Sequence, residues 1–174
     1  MQHIETVTVG SGGAASITFS NIPQQGFTDL VIKLSARTDG TVFAAVVDDL
    51  RISFNGSSAN FSYRNLFGRG NTVESNTYNA HNFINGVQAT ANTFGNWELY
   101  IPNYRSSVAK SLSIDAVTEN NATDTRQILV AGLWNQTAAI TSITLDPDYG
   151  NFVQHSTASL YGITAGSDGI VSVS

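Results

Sequence analysis

The sequence predicts an all-β fold, an antiparallel β-sandwich of jelly-roll-like type, and three observations carry that prediction. Short stretches alternating apolar with small polar residues recur from end to end, closing with Ser156-Thr-Ala-Ser-Leu-Tyr-Gly-Ile163. Turn residues bound them at intervals of about a dozen residues, the spacing of all-β domains. No stretch holds i, i+3, i+4 apolar spacing beyond a turn or two, so helices have no amphipathic face to bury.

Ile4, Thr6 and Thr8 alternate with Glu5, Val7 and Val9 until Gly10-Ser-Gly-Gly13 breaks the run. Ala15, Ile17 and Phe19 share one face of the next strand, which stops at Asn21-Ile-Pro23. Residues 29–37 place Leu30, Ile32 and Leu34 inward and Val31, Lys33 and Ser35 on the opposite face. Leu50, Ile52 and Phe54 repeat the device before Asn55-Gly56, a strong hairpin-turn dipeptide. From 57 to 96 the periodicity fades into an Asn-rich excursion expected to carry two short strands, near 63–67 and 78–84. Trp97, Leu99 and Ile101 then face one way, until Pro102-Asn103 ends the strand for want of a ladder donor. Leu112, Ile114 and Ala116 make another alternating strand. Ile128-Leu-Val-Ala-Gly-Leu-Trp134 is apolar on both faces, which predicts a central strand covered on both sides. Ile143 and Leu145 lead into a turn over Asp146-Pro-Asp-Tyr-Gly150, and residues 152–163 close the domain.

The 174 residues, 41% of them apolar, suffice for one domain, assigned to 1–163, with a polar extension over 164–174. Charged residues are 12%, about half the usual share, and Ser, Thr, Asn and Gly fill the gap. Such a surface can be desolvated against a partner without stranding charges, which favours assembly. In the extension, Ile170, Val171 and Val173 could add as a strand to a neighbouring sheet edge, making them the candidate partner-docking residues.

Net charge is −5 and the 8 Lys and Arg are scattered singly, so nucleic acid is not an expected partner. The absence of cysteine excludes disulfides and cysteine-ligated metals. The first residues lack the basic and apolar regions of a secretory signal, so synthesis in a cytoplasm is expected. No apolar run approaches the ~20 residues of a membrane helix, and membrane insertion is not expected.

Candidate sites each meet an ordinary alternative. His3, His81 and His155 are isolated, which suits surface or hydrogen-bonded histidines better than a metal. Asp48-Asp49 and the Asp146, Asp148 pair lack calcium-ligand spacing and read as turn caps. Glu98 and Glu119 have nothing in the sequence to set them at a glycosidase separation. No Gly-x-Ser-x-Gly elbow occurs, and chance accounts for the sequons at Asn55, Asn60, Asn121 and Asn135. No cofactor, metal or catalytic set is therefore expected. Trp97 and Trp134, on the apolar faces of strong strands, read as core. Tyr100, on the opposite face, and Tyr104, beyond Pro102, are the candidate glycan or partner contacts.

Several segments in order, Ile4-Glu-Thr-Val-Thr-Val9, Ser16-Ile-Thr-Phe-Ser-Asn-Ile-Pro23, Asp29-Leu-Val-Ile-Lys-Leu-Ser-Ala-Arg37, Ile52-Ser-Phe-Asn-Gly56, Leu99-Tyr-Ile-Pro-Asn-Tyr104, Ile140-Thr-Ser-Ile-Thr-Leu145 and Ala158-Ser-Leu-Tyr-Gly-Ile163, resemble a group of tailed-phage virion structural proteins of marine and cyanobacterial phages. The resemblance covers 4–163 and brings no catalytic motif. It implies a non-enzymatic jelly-roll building block of a virion, either a capsid decoration (cement) protein or a piece of a tail or fibre. Decoration is preferred because a fibre generally needs a shaft and an attachment region, and this chain reads as one domain. The partners so implied are further copies, as a homotrimer, and the major capsid protein or other virion proteins. The alternatives are a receptor-binding tip that reads host-surface glycans and a free carbohydrate-binding, lectin-like module.

Overall fold

The computed structural model describes residues 1–41, 46–77, 82–118 and 125–164. Among them the chain forms twelve strands and no helix: β1 (Gln2–Thr8), β2 (Ile17–Phe19), β3 (Asp29–Ala36), β4 (Val47–Phe54), β5 (Phe61–Arg69), β6 (Thr72–Asn76), β7 (Phe83–Asn85), β8 (Gly95–Ile101), β9 (Lys110–Val117), β10 (Arg126–Trp134), β11 (Ile143–Pro147) and β12 (Thr157–Ile163). All the ladders are antiparallel. An eight-stranded sheet, β1-β12-β3-β8-β9-β10-β5-β6, faces a four-stranded sheet, β2-β11-β4-β7.

The pairing is nested. The first strand lies beside the last, β2 beside β11, β3 beside β8 and β4 beside β7. That nesting, β1-β12-β3-β8 over β2-β11-β4-β7, is the rolled-up Greek key of a jelly roll. The remaining strands, β5, β6, β9 and β10, are added to one side of the larger sheet and widen it.

Alternation puts Leu30, Ile32 and Leu34 of β3, Trp97, Leu99 and Ile101 of β8, and Leu112, Ile114 and Ala116 of β9 into a common core. Phe19, Leu50, Ile52, Phe54, Ile143 and Leu145 meet them from the smaller sheet. Each buried Leu, Ile or Phe side chain among them contributes about 1.5–3 kcal/mol by leaving water. Trp97 and Trp134 both lie in this core, as their strand faces predict.

The Asn55-Gly56 dipeptide turns as its chemistry requires, with φ of 53° and 75°. It does not join two neighbours of one sheet, however: β4 belongs to the smaller sheet and β5 to the larger. The Asn55 side chain secures the crossing, accepting from the Thr141 N–H at 2.8 Å and donating to the Ala139 carbonyl at 2.8 Å. The predicted turn over 146–150 starts later, because β11 runs on through Pro147 opposite Leu50. The Leu50 N–H points away, to the Asn82 carbonyl, so this pair exchanges no ladder bond and proline's missing donor costs nothing there.

Two cations tie loops to the sandwich. Arg37 donates to four carbonyls, those of Val87, Ala89, Thr90 and Thr93. Lys110 is 1% exposed and its Nζ donates to the carbonyls of Ser106, Val108 and Ala138 at 2.6–2.7 Å, with that of Gln136 at 3.5 Å. Burial pulls its pKa below the ordinary lysine value.

Phe27 covers the inner face of β12 at Gly162, where a Cβ would stand 2.3 Å from the ring's Cγ and Cδ1. Gly162→Ala is expected to lower stability by about 1–3 kcal/mol through overpacking. Chemical denaturation checks it; a midpoint equal to the parent's would mean that Phe27 moves aside freely.

One expectation fails in β10. It was predicted to be covered on both sides, but Leu129 is 49% and Leu133 38% exposed. The smaller sheet covers one face of β10, and no described residue covers the other.

Candidate functional site

Among the described residues, nothing covers the outer face of the larger sheet over β5, β10 and β9. Cross-strand register builds one row of Tyr161, Val31, Tyr100, Ser113, Ala131 and Arg64, and a second of Ser159, Lys33, Glu98, Asp115, Leu129 and Leu66. Leu66, Leu129, Leu133 and Ala131 are neighbours on β5 and β10 and form an exposed apolar patch. Ser62, Ser111 and Ser113 border it. On one side stands Arg64, exposed and without an ion-pair partner among the described residues; on the other stand Asp115 and the Lys33–Glu98 pair.

The second feature is a cleft of about 340 Å³ between β4 and β5, lined by Asp49, Leu50, Arg51, Ile52, Ser58, Asn60, Phe61, Tyr63 and Asp148. β7 pairs with Val47, Asp48 and Asp49, and Asn82 bonds Leu50; between Leu50 and Phe54 no described residue pairs with this edge of β4. The far end of β4 runs beneath the added strands, where the Phe54 ring meets Phe61 at 5.1 Å and Trp134 at 5.4 Å. Phe61 and Tyr63, two residues apart on β5, stack in parallel at 5.7 Å.

The electrostatics of the cleft follow from burial. Asp49 sits away from water, with Asp148 and Asp48 nearby, and its carboxyl is raised to about 7, against a smaller opposing pull from Arg126. Asp48 is raised too, by burial, although Thr38 donates to its Oδ2 at 2.8 Å. Arg51 bridges Asp146 at 2.9 Å and Asp148 at 3.2 Å. Burial pushes the Tyr63 phenol well above its ordinary pKa, so it stays protonated.

The sequence-derived candidates fall in different places. Tyr100 is half-buried on the outer face, with its hydroxyl donating to Asp29 at 3.2 Å. Tyr104 is a correction: it is fully buried and its hydroxyl donates to the Pro23 carbonyl, so it offers no surface to a glycan or partner. The residues after Pro102 turn inward under the 20s loop instead of out to water. Ile170, Val171 and Val173 lie outside the described residues, as do His81 and Glu119. Asp48 and Asp49 do not cap a turn; they lie within β4, and the Asp49 carbonyl accepts the Asp148 N–H at 2.8 Å. His3 bonds Thr6, and His155 takes a φ of 75°. Among the described residues no group of three or more His, Asp or Glu could hold a metal ion.

Comparison of the chain with protein-family models and with curated proteins finds no match to either.

Proposed function

We propose that the protein is a non-enzymatic structural protein of a tailed-phage virion, a capsid decoration protein that associates with its own kind and grips the shell. The observation that carries this reading is the open outer face. Contiguous exposed apolar area on a folded domain marks a surface that becomes covered, and here it is framed by hydroxyls, which a partner can hydrogen-bond without any charge being stranded. The segments that resemble virion structural proteins include β3, β12, most of β1 and the end of β8, four of the eight strands of this same sheet.

Charge placement points to a second copy as the occupant. Two such sheets pack face to face about 10 Å apart. A two-fold axis along β10 lays the β5 of one copy over the β9 of the other. Each Arg64, which has no ion-pair partner among the described residues, then reaches the flank that carries Asp115, while the leucines meet at the centre. This contact accounts for a pair; the threefold ring implied by the resemblance would use a further surface.

Leu129→Asp is expected to shift the protein from an assembly to a monomer in light scattering coupled to size exclusion, with little change in melting, because Leu129 is half-exposed in the single chain. A parent that runs as a monomer at every concentration would count against the second copy. The particle role is read separately. Purified protein is added to matching particles stripped of it and imaged by cryo-electron microscopy. Density at regular positions over the capsid supports decoration, whereas density confined to the tail or fibres refutes it.

A further inference from the structure

We propose that the cleft between β4 and β5 is a saccharide-binding site, which takes a neutral hydroxyl-rich unit such as a hexose or an N-acetylhexosamine. The inference stands apart from the outer sheet face and holds whatever that face grips.

Size and shape come first. At about 340 Å³ the cleft lies at the lower end of the range for small-ligand sites, about 300–1,000 Å³. It is open on one side, as a site for one or two units of a longer chain must be.

The lining mixes donors and acceptors. Arg51 and Asp49 come from β4, Asp148 from the residue after β11, and Asn60 from the approach to β5. Asn60 holds a left-handed backbone, with φ of 67°, at the point where the chain enters β5. A sugar hydroxyl both donates and accepts, so it fits a lining of this mixed kind better than an apolar or singly charged ligand does.

Part of that capacity is unused. The Tyr63 hydroxyl has no hydrogen-bond partner among the described residues. Ile52 is 3% exposed with its side chain in the core, so what it presents to the cleft is backbone. The Leu50 N–H points away from β11, to the Asn82 carbonyl. By the two-residue alternation of a strand, the N–H and C=O of Ile52 point the same way, toward the cleft-side edge of β4, where no described residue pairs with them.

The wall is aromatic. Phe61 and Tyr63 stand parallel and half-buried, and they offer the apolar surface on which the C–H face of a sugar ring packs. Charge narrows the class further. Two carboxyl groups stand against one guanidinium, which Asp146 and Asp148 already engage. Sialylated, sulfated and uronic glycans are thereby disfavoured. Asp49, with its carboxyl raised to about 7 by burial, keeps a fraction of donor O–H near neutral pH.

The test is an array of neutral, amino and acidic glycans, followed by titration calorimetry with the retained sugar. The parent is expected to retain neutral hexose or N-acetylhexosamine glycans. Tyr63→Phe, which removes one oxygen and keeps the ring, and Asn60→Ala should each lose affinity about tenfold. Tyr100→Ala, on the outer face, should bind as the parent does. The melting temperature of Tyr63→Phe, read alongside, separates lost contact from lost fold. The proposal is overturned if the parent retains no glycan at millimolar concentration, if it retains only acidic glycans, or if Tyr63→Phe and Asn60→Ala both bind undiminished. It is equally overturned if extended peptides compete for the cleft and sugars do not.

Discussion

Lys110→Met is expected to lower the melting temperature of the protein by about 6–20 °C, the largest effect of any single substitution considered for this fold. Methionine nearly matches the length and volume of the lysine stem, so the core around it need not repack. What disappears is the ammonium. Its three protons go to the carbonyls of Ser106, Val108 and Ala138, and the ammonium lies 5.7 Å from the Trp134 ring centre. These carbonyls belong to two loops, one entering β9 and one leaving β10, and the lysine is their common donor. Without it, buried oxygens lose their partners, at about 1–3 kcal/mol for each that water cannot reach. Two or three such losses come to about 3–5 kcal/mol, and in a domain of this size each kcal/mol moves the melting temperature by about 2–4 °C. Calorimetry on parent and variant decides it. A variant that melts with the parent would mean that water reaches these carbonyls and the lysine is dispensable.

Lys110 also shows where the sequence stops being legible. Before an alternating strand, a lone lysine reads as a solvated side chain, and two of its four acceptors lie 26 and 28 residues away in the loop after β10. Tyr104 misleads for the same reason: Pro102-Asn103 announces a turn, and nothing local says that the turn packs beneath Pro23. Local alternation was enough to locate β3, β4, β8, β9 and β12, because in those strands period-two burial and sequence pattern are one fact seen twice. It was not enough for β10. An apolar residue on the second face of a strand is covered either by its own chain or by a partner, and both demand the same leucine at 129. The cleft was not visible in the sequence. Asp49 and Asp148 are neighbours only because β11 pairs with β4, and Tyr63 reaches them only because β5 is added to the far side of the other sheet.

Stability is expected to fall as pH rises from 5 to 8, and Asp49→Asn is expected to remove most of that fall. The sign follows from where the proton sits. In the unfolded chain Asp49 titrates near 3.8, the ordinary aspartate value, whereas in the folded protein burial raises it to about 7. Between those values the folded state holds a proton that the unfolded state has lost, so stability declines with rising pH. Above about pH 7 the fold must carry an ionised carboxylate away from water, beside Asp148 and Asp48, with Arg126 as a partial counterweight. The gap between those two values corresponds to at most about 4 kcal/mol. Because Asp49 borders an open cleft, the realised effect is the lower part of that range. Asparagine keeps the shape and never ionises. It should match the parent near pH 3.5, exceed it modestly at pH 5 and most at pH 8, and urea denaturation at the three pH values measures the widening gap. Asp48, also raised by burial, adds a smaller decline of the same sign that Asp49→Asn leaves in place. If parent and variant fall in parallel between pH 5 and 8, the decline belongs to the net charge of the whole chain and not to the cleft.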